Sequence, residues 1–300
     1  MKGAVQLLVL VLVAFVLPAT GQDTTVVTTA GFNGRIKSVT EYNIKPIGSV
    51  GFELVSGSKT TSTYDLQGKK VREYVYGPEG TLQSKASFKY DEDGRLHEER
   101  GFDPQGKYQY ATRYKHDEAG NEISQKHYRG NGLIHLKTLW EYDSLGNLIK
   151  EESFDAEDVM LNRAKWKYDV NGNPIEETTY DADEVQTRKT LFTYDTSGNL
   201  VETRNIYYGV MLRTTYKYDA AGKIVEECCY NAEKVTDKKC TYKYDEHGNE
   251  TEQSFFSADG TLQKTITYLN IYDSHKNLIR RIQTDNGKQL IIVRREISYY

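Results

Sequence analysis

The chain has 300 residues, of which 38% are hydrophobic and 27% are charged, and it contains 24 Tyr against 9 Phe and 2 Trp. Its 39 basic and 43 acidic residues are interspersed and give a net charge of −4. Because no segment builds a strong field of one sign, this balance argues against nucleic-acid binding. The abundance of amphipathic Tyr rings favours a thin sheet over a large aliphatic core.

The N-terminus has the pattern of a secretory signal peptide. The basic start Met1-Lys2-Gly3 precedes an apolar run from Ala4 to Leu17, and small residues follow up to Gly21. This run is too short to span a bilayer comfortably. We therefore predict a signal peptide at residues 1–21 and an exported mature protein that is periplasmic, cell-surface or secreted. No later run of about 18 apolar residues occurs, so we expect no transmembrane span after cleavage.

Residues 22–60 form an atypical N-terminal region. A degenerate repeat unit begins at Gly34, and an insertion from Pro46 to Ser58 separates this unit from the next one. We expect the degenerate unit to start the sheet.

Residues 61–285 repeat the phrase Tyr-Asp-x-x-Gly-Asn about every 26 residues. A fixed period of this size indicates one small structural unit copied many times. The phrase is altered where His116 replaces its Tyr and Lys276 replaces its Gly, and one unit is shortened around Tyr207-Tyr208-Gly209. The Tyr-Asp pairs of the phrase are at residues 90–91, 142–143, 168–169, 194–195, 218–219, 244–245 and 272–273.

Each unit contains two runs of strand length separated by a turn, which predicts a β-hairpin. The second run alternates clearly, since Trp166 and Tyr168 point to one side while Lys167 points to the other. An aromatic residue stands two positions before the repeat Tyr, or before His116 in its place, in seven units, so one face of the sheet is predicted to be an aromatic ladder. These residues are Phe88, Tyr114, Trp140, Trp166, Phe192, Tyr216 and Tyr242.

The first run of each unit is less regular. It places an apolar residue three positions after the marker Gly and an aromatic residue eight positions after it, as at Ile149 and Phe154. Positions three and eight lie on opposite faces of a regular strand. Either a bulge shifts the register midway along the run, or both faces of the strand are partly covered. We favour the bulge. The Asp of the phrase is expected to cap its turn, and Gly-Asn to supply left-handed backbone.

The predicted fold class is all-β, with antiparallel β-hairpin repeats forming one long curled or spiralling sheet. Two strands per unit give about 18 to 20 strands, and twisted open sheets rarely exceed ~10 strands without curling. With a rotation of roughly 20 to 25° per strand, eight units complete about one revolution. We expect the aromatic ladder to face the inside of this curl. Residues 286–300 are predicted to form a C-terminal closing strand.

The Tyr-Asp-x-x-Gly-Asn phrase, approached as in Tyr216-Lys217-Tyr218-Asp219, resembles the YD repeats of the RHS family over roughly residues 61–285. The resemblance implies an exported protein whose repeats form a spiralling β-strip, in a family that often encloses a C-terminal toxin or supports carbohydrate and cell contacts. The unit of this chain is longer than the family's usual one of about twenty residues. The chain also has neither the family's core-closing segment nor a non-repeat C-terminal domain, which puts a toxin cargo in doubt.

Candidate catalytic and metal-binding patterns have simpler interpretations. Asp91-Glu92-Asp93-Gly94 carries alternate carboxylates but lacks the other ligands of a calcium loop, and the six His residues show no ligand spacing. Acidic pairs such as Glu98-Glu99 and Glu226-Glu227 recur at one strand position, which favours cross-strand pairing with Lys or Arg over glycosidase carboxylates. We therefore predict no metal site and no cofactor.

The leading functional hypothesis is an exported, non-catalytic repeat protein that acts as a binding or structural surface at the cell envelope. The aromatic ladder could bind a glycan or an envelope protein, although packing within the sheet is the favoured role of its rings. The alternative is a shell-like protein, or an enzyme whose site lies where the repeats break. Candidates for that site are Tyr207-Tyr208-Gly209 and the insertion from Pro46 to Ser58.

Overall fold

A computed structural model describes residues 31–45, 55–230 and 236–300, and these residues form strands and turns without a helix. No helix in this part of the chain is therefore long and apolar enough to cross a membrane. The signal peptide predicted at residues 1–21 lies outside the described residues. The strands are β1 (Ile36–Lys45), β2 (Val55–Tyr64), β3 (Lys70–Tyr76), β4 (Leu82–Tyr90), β5 (Leu96–Phe102), β6 (Tyr108–His116), β7 (Glu122–Arg129), β8 (Ile134–Tyr142), β9 (Leu148–Phe154), β10 (Met160–Tyr168), β11 (Pro174–Asp181), β12 (Gln186–Tyr194), β13 (Leu200–Tyr207), β14 (Val210–Tyr218), β15 (Ile224–Tyr230), β16 (Thr236–Tyr244), β17 (Glu250–Phe256), β18 (Leu262–Tyr272), β19 (Leu278–Asp285) and β20 (Lys288–Tyr299).

The 20 strands form one antiparallel sheet that closes on itself. Each strand pairs with the next one in the chain, and β20 also pairs with β1, from Ser38 opposite Ser298 to Glu41 opposite Arg295. The prediction of an all-β sheet of hairpin repeats is thus confirmed. The expected curl is complete, because the first and last strands pair with each other and no edge is left free among the described strands.

The N-terminal hairpin starts earlier than the repeat pattern indicates. Strand β2 begins at Val55, inside the insertion predicted at Pro46 to Ser58, and it pairs with β1 through a register shift between Tyr42 and Ile44. Its sequence is rich in Ser, Thr and Lys, so its alternation is too weak to reveal the strand. Residues 46–54 of the predicted insertion lie outside the described residues.

The Asp of the repeat phrase builds the turn that follows it. One carboxylate oxygen of Asp143 accepts the backbone N–H groups of Leu145 and Asn147, each at 2.9 Å, and the other accepts the side-chain amide of Asn147 at 2.9 Å. Gly146 has a φ of 82°, in the left-handed region that favours glycine. These bonds lower the pKa of the Asp143 carboxyl, with the Asn147 side chain as the largest cause. The predicted capping role is confirmed.

In the repeat units from β2 to β18, each register shift lies next to a turn, whereas the β19–β20 pair has its shift midway along β19, between Arg281 and Ile282. Tyr142 pairs with Leu148 and Glu141 pairs with Lys150, so Ile149 is the extra residue of a β-bulge. A second shift lies at the other end of β9, next to the following turn. There Phe154 pairs with Met160 and Ser153 pairs with Asn162, so the extra residue is on β10. The predicted bulge therefore exists, but its predicted position is wrong, because the bulge completes the tight turn in which Gly takes the left-handed conformation.

The Tyr of the phrase joins the two strands of its hairpin at their open end. The hydroxyl of Tyr168, at the end of β10, donates to the backbone carbonyl of Leu148, at the start of β9, at 2.6 Å. Tyr142 donates in the same way to Glu122 at 2.8 Å. We call this contact the tyrosine clip. The same hydrogen bond is made by Tyr90 to Lys70, Tyr194 to Pro174, Tyr218 to Leu200 and Tyr244 to Ile224.

The two faces of the sheet differ in chemistry. One, here called the ion-pair face, carries a Glu held between two cations, as where Glu176 accepts from Lys167 at 3.0 Å and from Lys189 at 2.9 Å. The other, here called the aromatic face, carries the rings two residues before each repeat Tyr. The two members of an acidic pair lie on opposite faces. The predicted pairing with Lys or Arg holds for both members of Glu176–Glu177, since Glu177 pairs with Arg188, but only for the first member of Glu98–Glu99 and Glu226–Glu227. On the aromatic face, Glu151 accepts the indole N–H of Trp140 at 2.8 Å.

Few apolar side chains are fully buried, because the sheet is a single layer. Among the described residues, the buried hydrophobic ones are Ile36, Val39, Ala86, Ala111 and Ile266. Small side chains four residues before the repeat Tyr form a tight column beside the rings, and several of them are buried. Hydrogen bonds, ion pairs and cations over rings therefore carry much of the lateral cohesion, as where Lys137 lies 4.5 Å from the Phe154 ring centre.

Candidate functional site

The seven predicted ladder residues all lie on the aromatic face and are all half-buried: Phe88, Tyr114, Trp140, Trp166, Phe192, Tyr216 and Tyr242. In the strand pairing, each stands opposite a Glu, Gln or Thr on the next strand, as Trp166 stands opposite Glu177. The rings therefore alternate across the sheet with hydrogen-bonding side chains. Their role as ligand platform or core stays a prediction, as does the expectation that they face the inside of the curl.

Polar atoms of some rings are already bonded within the sheet. The Tyr242 hydroxyl donates to Glu227 at 3.1 Å, and partial burial together with the charge of Glu227 raises the pKa of Tyr242. The Tyr216 pKa is also raised, chiefly by burial. The edges of the rings are fixed by these contacts, while their half-exposed surfaces remain available for stacking.

Two hollows of the same composition lie between successive turns at the end of the sheet where the repeat phrases stand. The first, of about 660 Å³, contains Trp140, Tyr142, Asp143 and Ile123, and the second, of about 520 Å³, contains Tyr242, Tyr244, Asp245 and Val225. Every residue of the second hollow is 102 positions after a residue of the first. We call these the rim hollows. Since they recur in register with the repeat, they are a property of the unit and not of one place in the chain.

A third hollow, of about 560 Å³, lies on β5 to β8 near the opposite turns and is lined by residues that depart from the repeat. Tyr110 stands opposite Gly101 on β5 and opposite Arg129 on β7. In the adjacent row, Thr112 stands opposite Glu99 and His127. We call this the β5–β8 hollow.

The β5–β8 hollow owes its shape to a glycine. The Tyr110 ring lies so close over Gly101 that a Cβ there would come within 1.9 Å of the ring. This position lets the Tyr110 hydroxyl donate to Glu99 at 2.8 Å. Tyr110 thus leans over β5, while its neighbour on the other side, Arg129, is left exposed.

Two histidines border the same hollow. His127 is bonded to the buried Thr112 hydroxyl through Nδ1 at 3.0 Å, and Nδ1 of His135 lies 2.8 Å from the Arg129 guanidinium. Burial lowers the pKa of His127, and the neighbouring His135 lowers it further. In the sequence these histidines show no ligand spacing. Their proximity follows from the strand register, which the sequence does not state.

The other predicted breaks in the repeat are structural features of turns. Tyr208 and Gly209 form a two-residue hairpin turn with positive φ values of 47° and 85°, which accounts for the shortened unit. Lys276 takes the place of the turn glycine with a φ of 65°.

No group of three or more His, Cys, Asp or Glu side chains suited to a metal ion occurs within the described ranges. The carboxylates of the Asp91 turn are engaged locally, since Asp91 and Asp93 both pair with Arg95. Cys228, Cys229 and Cys240 are half-buried and free.

A family model described only as an uncharacterised protein matches residues 115–236. The search of curated proteins found no match. Among solved structures, the chain is similar to the crystal structure of TcdB2-TccC3-TEV, with 14% identity and a TM-score of 0.30, over 80% of this chain and 16% of that one. It is also similar to a porin-like protein from Bacteroides uniformis ATCC 8492, with 10% identity and a TM-score of 0.37, over 88% of this chain and 98% of that one.

A third similar structure is the Photorhabdus luminescens Tc holotoxin pore, with 12% identity and a TM-score of 0.30, over 88% of this chain and 18% of that one. The chain thus spans less than a fifth of the length of the toxin chains it is similar to. TM-scores this low carry no conclusion about what the protein does.

Proposed function

We propose that this protein is an exported, non-catalytic β-repeat protein of the RHS type that binds glycan at the cell envelope through its row of rim hollows. The observation that carries the proposal is the equivalence of the two hollows, in which the same positions supply a ring, an aliphatic side chain and a carboxylate. A site that recurs with the repeat suits a ligand that is itself repetitive. Export is inferred from the signal peptide predicted at residues 1–21.

The chemistry of one rim hollow suits a sugar residue. Trp140 offers a half-exposed ring face, Ile123 and Ile149 add apolar surface, and Asp117 and Asp143 bring carboxylates to the border. A sugar ring has an apolar face for stacking and hydroxyl groups that donate to carboxylates, so it uses both kinds of surface. The shallow form of the hollow favours many weak contacts over one deep one.

The spacing of the hollows suits a polymer. Strands lie about 4.8 Å apart, so the two rim hollows, eight strands apart, are separated by roughly 38 Å along the sheet. One polysaccharide chain long enough to reach both can engage them at once, and the effective concentration of the second contact makes the total affinity exceed that of a single hollow.

The test compares polysaccharides and their fragments for binding to the mature protein. We expect retention on at least one envelope polysaccharide, and affinity that rises steeply from disaccharide to octasaccharide. Replacing both Trp140 and Tyr242 with Ala should lower that affinity at least tenfold. The matched control is Tyr180→Ala, which removes a ring from the ion-pair face, where Lys165 lies 5.7 Å from its centre.

Two results would overturn the proposal. One is retention of an envelope protein and of no polysaccharide by the intact protein. The other is hydrolysis of a polysaccharide by the purified protein at a rate that survives in the double variant, which would place an active site elsewhere in the molecule.

A further inference from the structure

The β5–β8 hollow concentrates departures from the repeat that the architecture does not explain. The position of Arg129 is an Asp in three other units, Asp103, Asp155 and Asp181, where its carboxylate accepts turn amides, for example from Val159 at 2.9 Å. With Arg129 in that place, Asn131 accepts the amide of Leu133 at 3.1 Å instead. The turn is thus maintained by a second substitution, although Asp would have built it directly.

The other departures lie beside Arg129 in space. His127 stands where neighbouring units have Ser153 or Thr179, and Tyr110 is paired with a glycine that makes room for its ring. His116, which replaces the clip tyrosine, pairs with Glu122 at the other end of β6 and is not part of this group. Each residue of the group replaces one that the turn or strand would favour. Because the replacements lie together, they indicate selection for a ligand contact.

We propose that the β5–β8 hollow binds an acidic sugar, that is, a hydroxylated ring carrying a carboxylate. A guanidinium has five N–H donors in a planar fork that matches a carboxylate, and the contact of Arg129 with His135 leaves most of these donors for the ligand. The His135 contact also holds the guanidinium at the border of the hollow. The carboxylate end of the ligand therefore lies over β7.

The rest of the hollow provides contacts for the ring of the ligand. Tyr110 is 41% exposed and offers a face for stacking between Arg129 and β5. Glu99 accepts one hydrogen bond from Tyr110 and has further lone pairs for ligand hydroxyls. Strands β5 and β7 are two strand spacings apart, about 9.6 Å, which is enough to place a sugar ring between Glu99 and the Arg129 guanidinium on β7.

This site is distinct from the rim hollows, because none of its lining residues lines either of them. The two proposals can therefore fail separately. Replacing Trp140 and Tyr242 tests only the rim hollows, and replacing Arg129 tests only the β5–β8 hollow.

The experiment measures binding of glucuronate and of glucose by isothermal titration and by ligand-observed NMR. We expect glucuronate to bind at least tenfold more tightly than glucose, which has the same ring without the carboxylate. Arg129→Asp restores the residue of other repeat units, so the turn should form as before, while glucuronate affinity should fall at least tenfold. Gly101→Ala should also weaken binding, because its Cβ displaces the Tyr110 ring. The control is Arg72→Ala, which removes an exposed strand arginine elsewhere.

A uronic-acid trisaccharide distinguishes two sources of the ligand. Equal affinity for monomer and trisaccharide supports a free sugar acid or a chain end, and binding of the trisaccharide alone supports an internal residue of a polymer. Three results would overturn the proposal. Glucose and glucuronate could bind equally, glucuronate and the trisaccharide could both fail to bind, or the folded Arg129→Asp variant could keep its affinity.

Discussion

The hairpins from β9 to β12 and the strands from β5 to β8 are built from the same repeat but use it differently. In β9 to β12, Tyr168 and Tyr194 clip their hairpins, and the turn Asp residues accept backbone amides. On β6 the clip position is held by His116, whose imidazole is shorter than a phenol, and the described residues show no bond from it to β5. The β7–β8 hairpin keeps its clip, from Tyr142 to Glu122, so the second region departs from the regular architecture at the β5–β6 hairpin and around the β5–β8 hollow.

This difference separates residues that maintain the sheet from residues that are available to a ligand. In the regular hairpins, the carboxylates of the ion-pair face are satisfied by the sheet itself, as Glu176 is by two lysines. In the β5–β8 hollow, Arg129 and His135 mainly satisfy each other at an exposed border and keep donors for a ligand. A repeat protein thus carries its own internal control, because every departure can be compared with several regular copies.

Acid should distinguish the Asp turns from the turn at Arg129 most strongly. The pKa of Asp143, Asp169 and Asp195 is lowered in the folded protein, first by the amide of the following Asn side chain. The unfolded chain therefore binds protons first, so this stabilisation is present above pH ~4 and is lost as the pH falls through the lower folded values.

The check is amide hydrogen exchange as a function of pH, corrected for the intrinsic rate. Protection at Asn147 should decrease as the pH falls below 4. Protection at Leu133, whose amide is held by the non-titrating Asn131, should change less. Parallel loss at both turns would contradict the role given to the Asp carboxylates.

Removing one clip should have the next largest effect. Tyr168→Phe deletes the hydroxyl that donates to the Leu148 carbonyl at 2.6 Å and leaves the ring in place. We expect the free energy of unfolding in urea to fall by about 1 kcal/mol, the usual net value of such a bond. Tyr207→Phe, at a ring that is 40% exposed, is the matched control and should change it by less than half as much.

Restoring the missing tyrosine clip on β6 should raise the free energy of unfolding, by less than the loss of one clip lowers it. His116→Tyr supplies a phenol that can reach the start of β5, and we expect unfolding to require up to ~1 kcal/mol more. Urea unfolding measures the gain, and hydrogen exchange at the open end of the β5–β6 hairpin locates it. A loss of stability in this variant would show that β5 and β6 do not follow the hairpin geometry of the other units.

The smallest effect is expected at the altered turn before β19. Lys276 is a non-glycine residue with a φ of 65°, a conformation that costs an L-residue about 1 kcal/mol or more. Lys276→Gly removes this strain but adds freedom to the unfolded chain, so a net gain of roughly 0.5 kcal/mol is expected. Gly146→Ala, at a φ of 82°, should have the opposite sign. Thermal unfolding of both variants provides the comparison.

The sequence predicted the fold because its signals were local and repeated. The alternation before Tyr168, and the Asp and Gly of each phrase, specify strand and turn within a few residues of one another. The clip was not predicted, because Tyr168 bonds a carbonyl 20 positions earlier in the chain, and a repeated Tyr looks the same whether its ring or its hydroxyl is required. The bulge was predicted, but its position depends on turn geometry.

The β5–β8 hollow was harder to predict than the ladder. His127, Arg129 and Tyr110 become neighbours only through the pairing of β6 with β7. A signal was nonetheless present, since aligning the units by their marker glycine shows Arg129 where other units have Asp. The unit-by-unit departures are thus more informative for the site than the shared motif.

The most direct test of the distinction between architecture and ligand contact compares two variants in two assays. Arg129→Asp and Tyr168→Phe are each measured for urea unfolding and for glucuronate binding by titration. Arg129→Asp should lose at least tenfold in affinity with unfolding unchanged, and Tyr168→Phe should lose about 1 kcal/mol of stability with affinity unchanged. If both variants lose stability and affinity together, or if Arg129→Asp loses only stability, the distinction is contradicted.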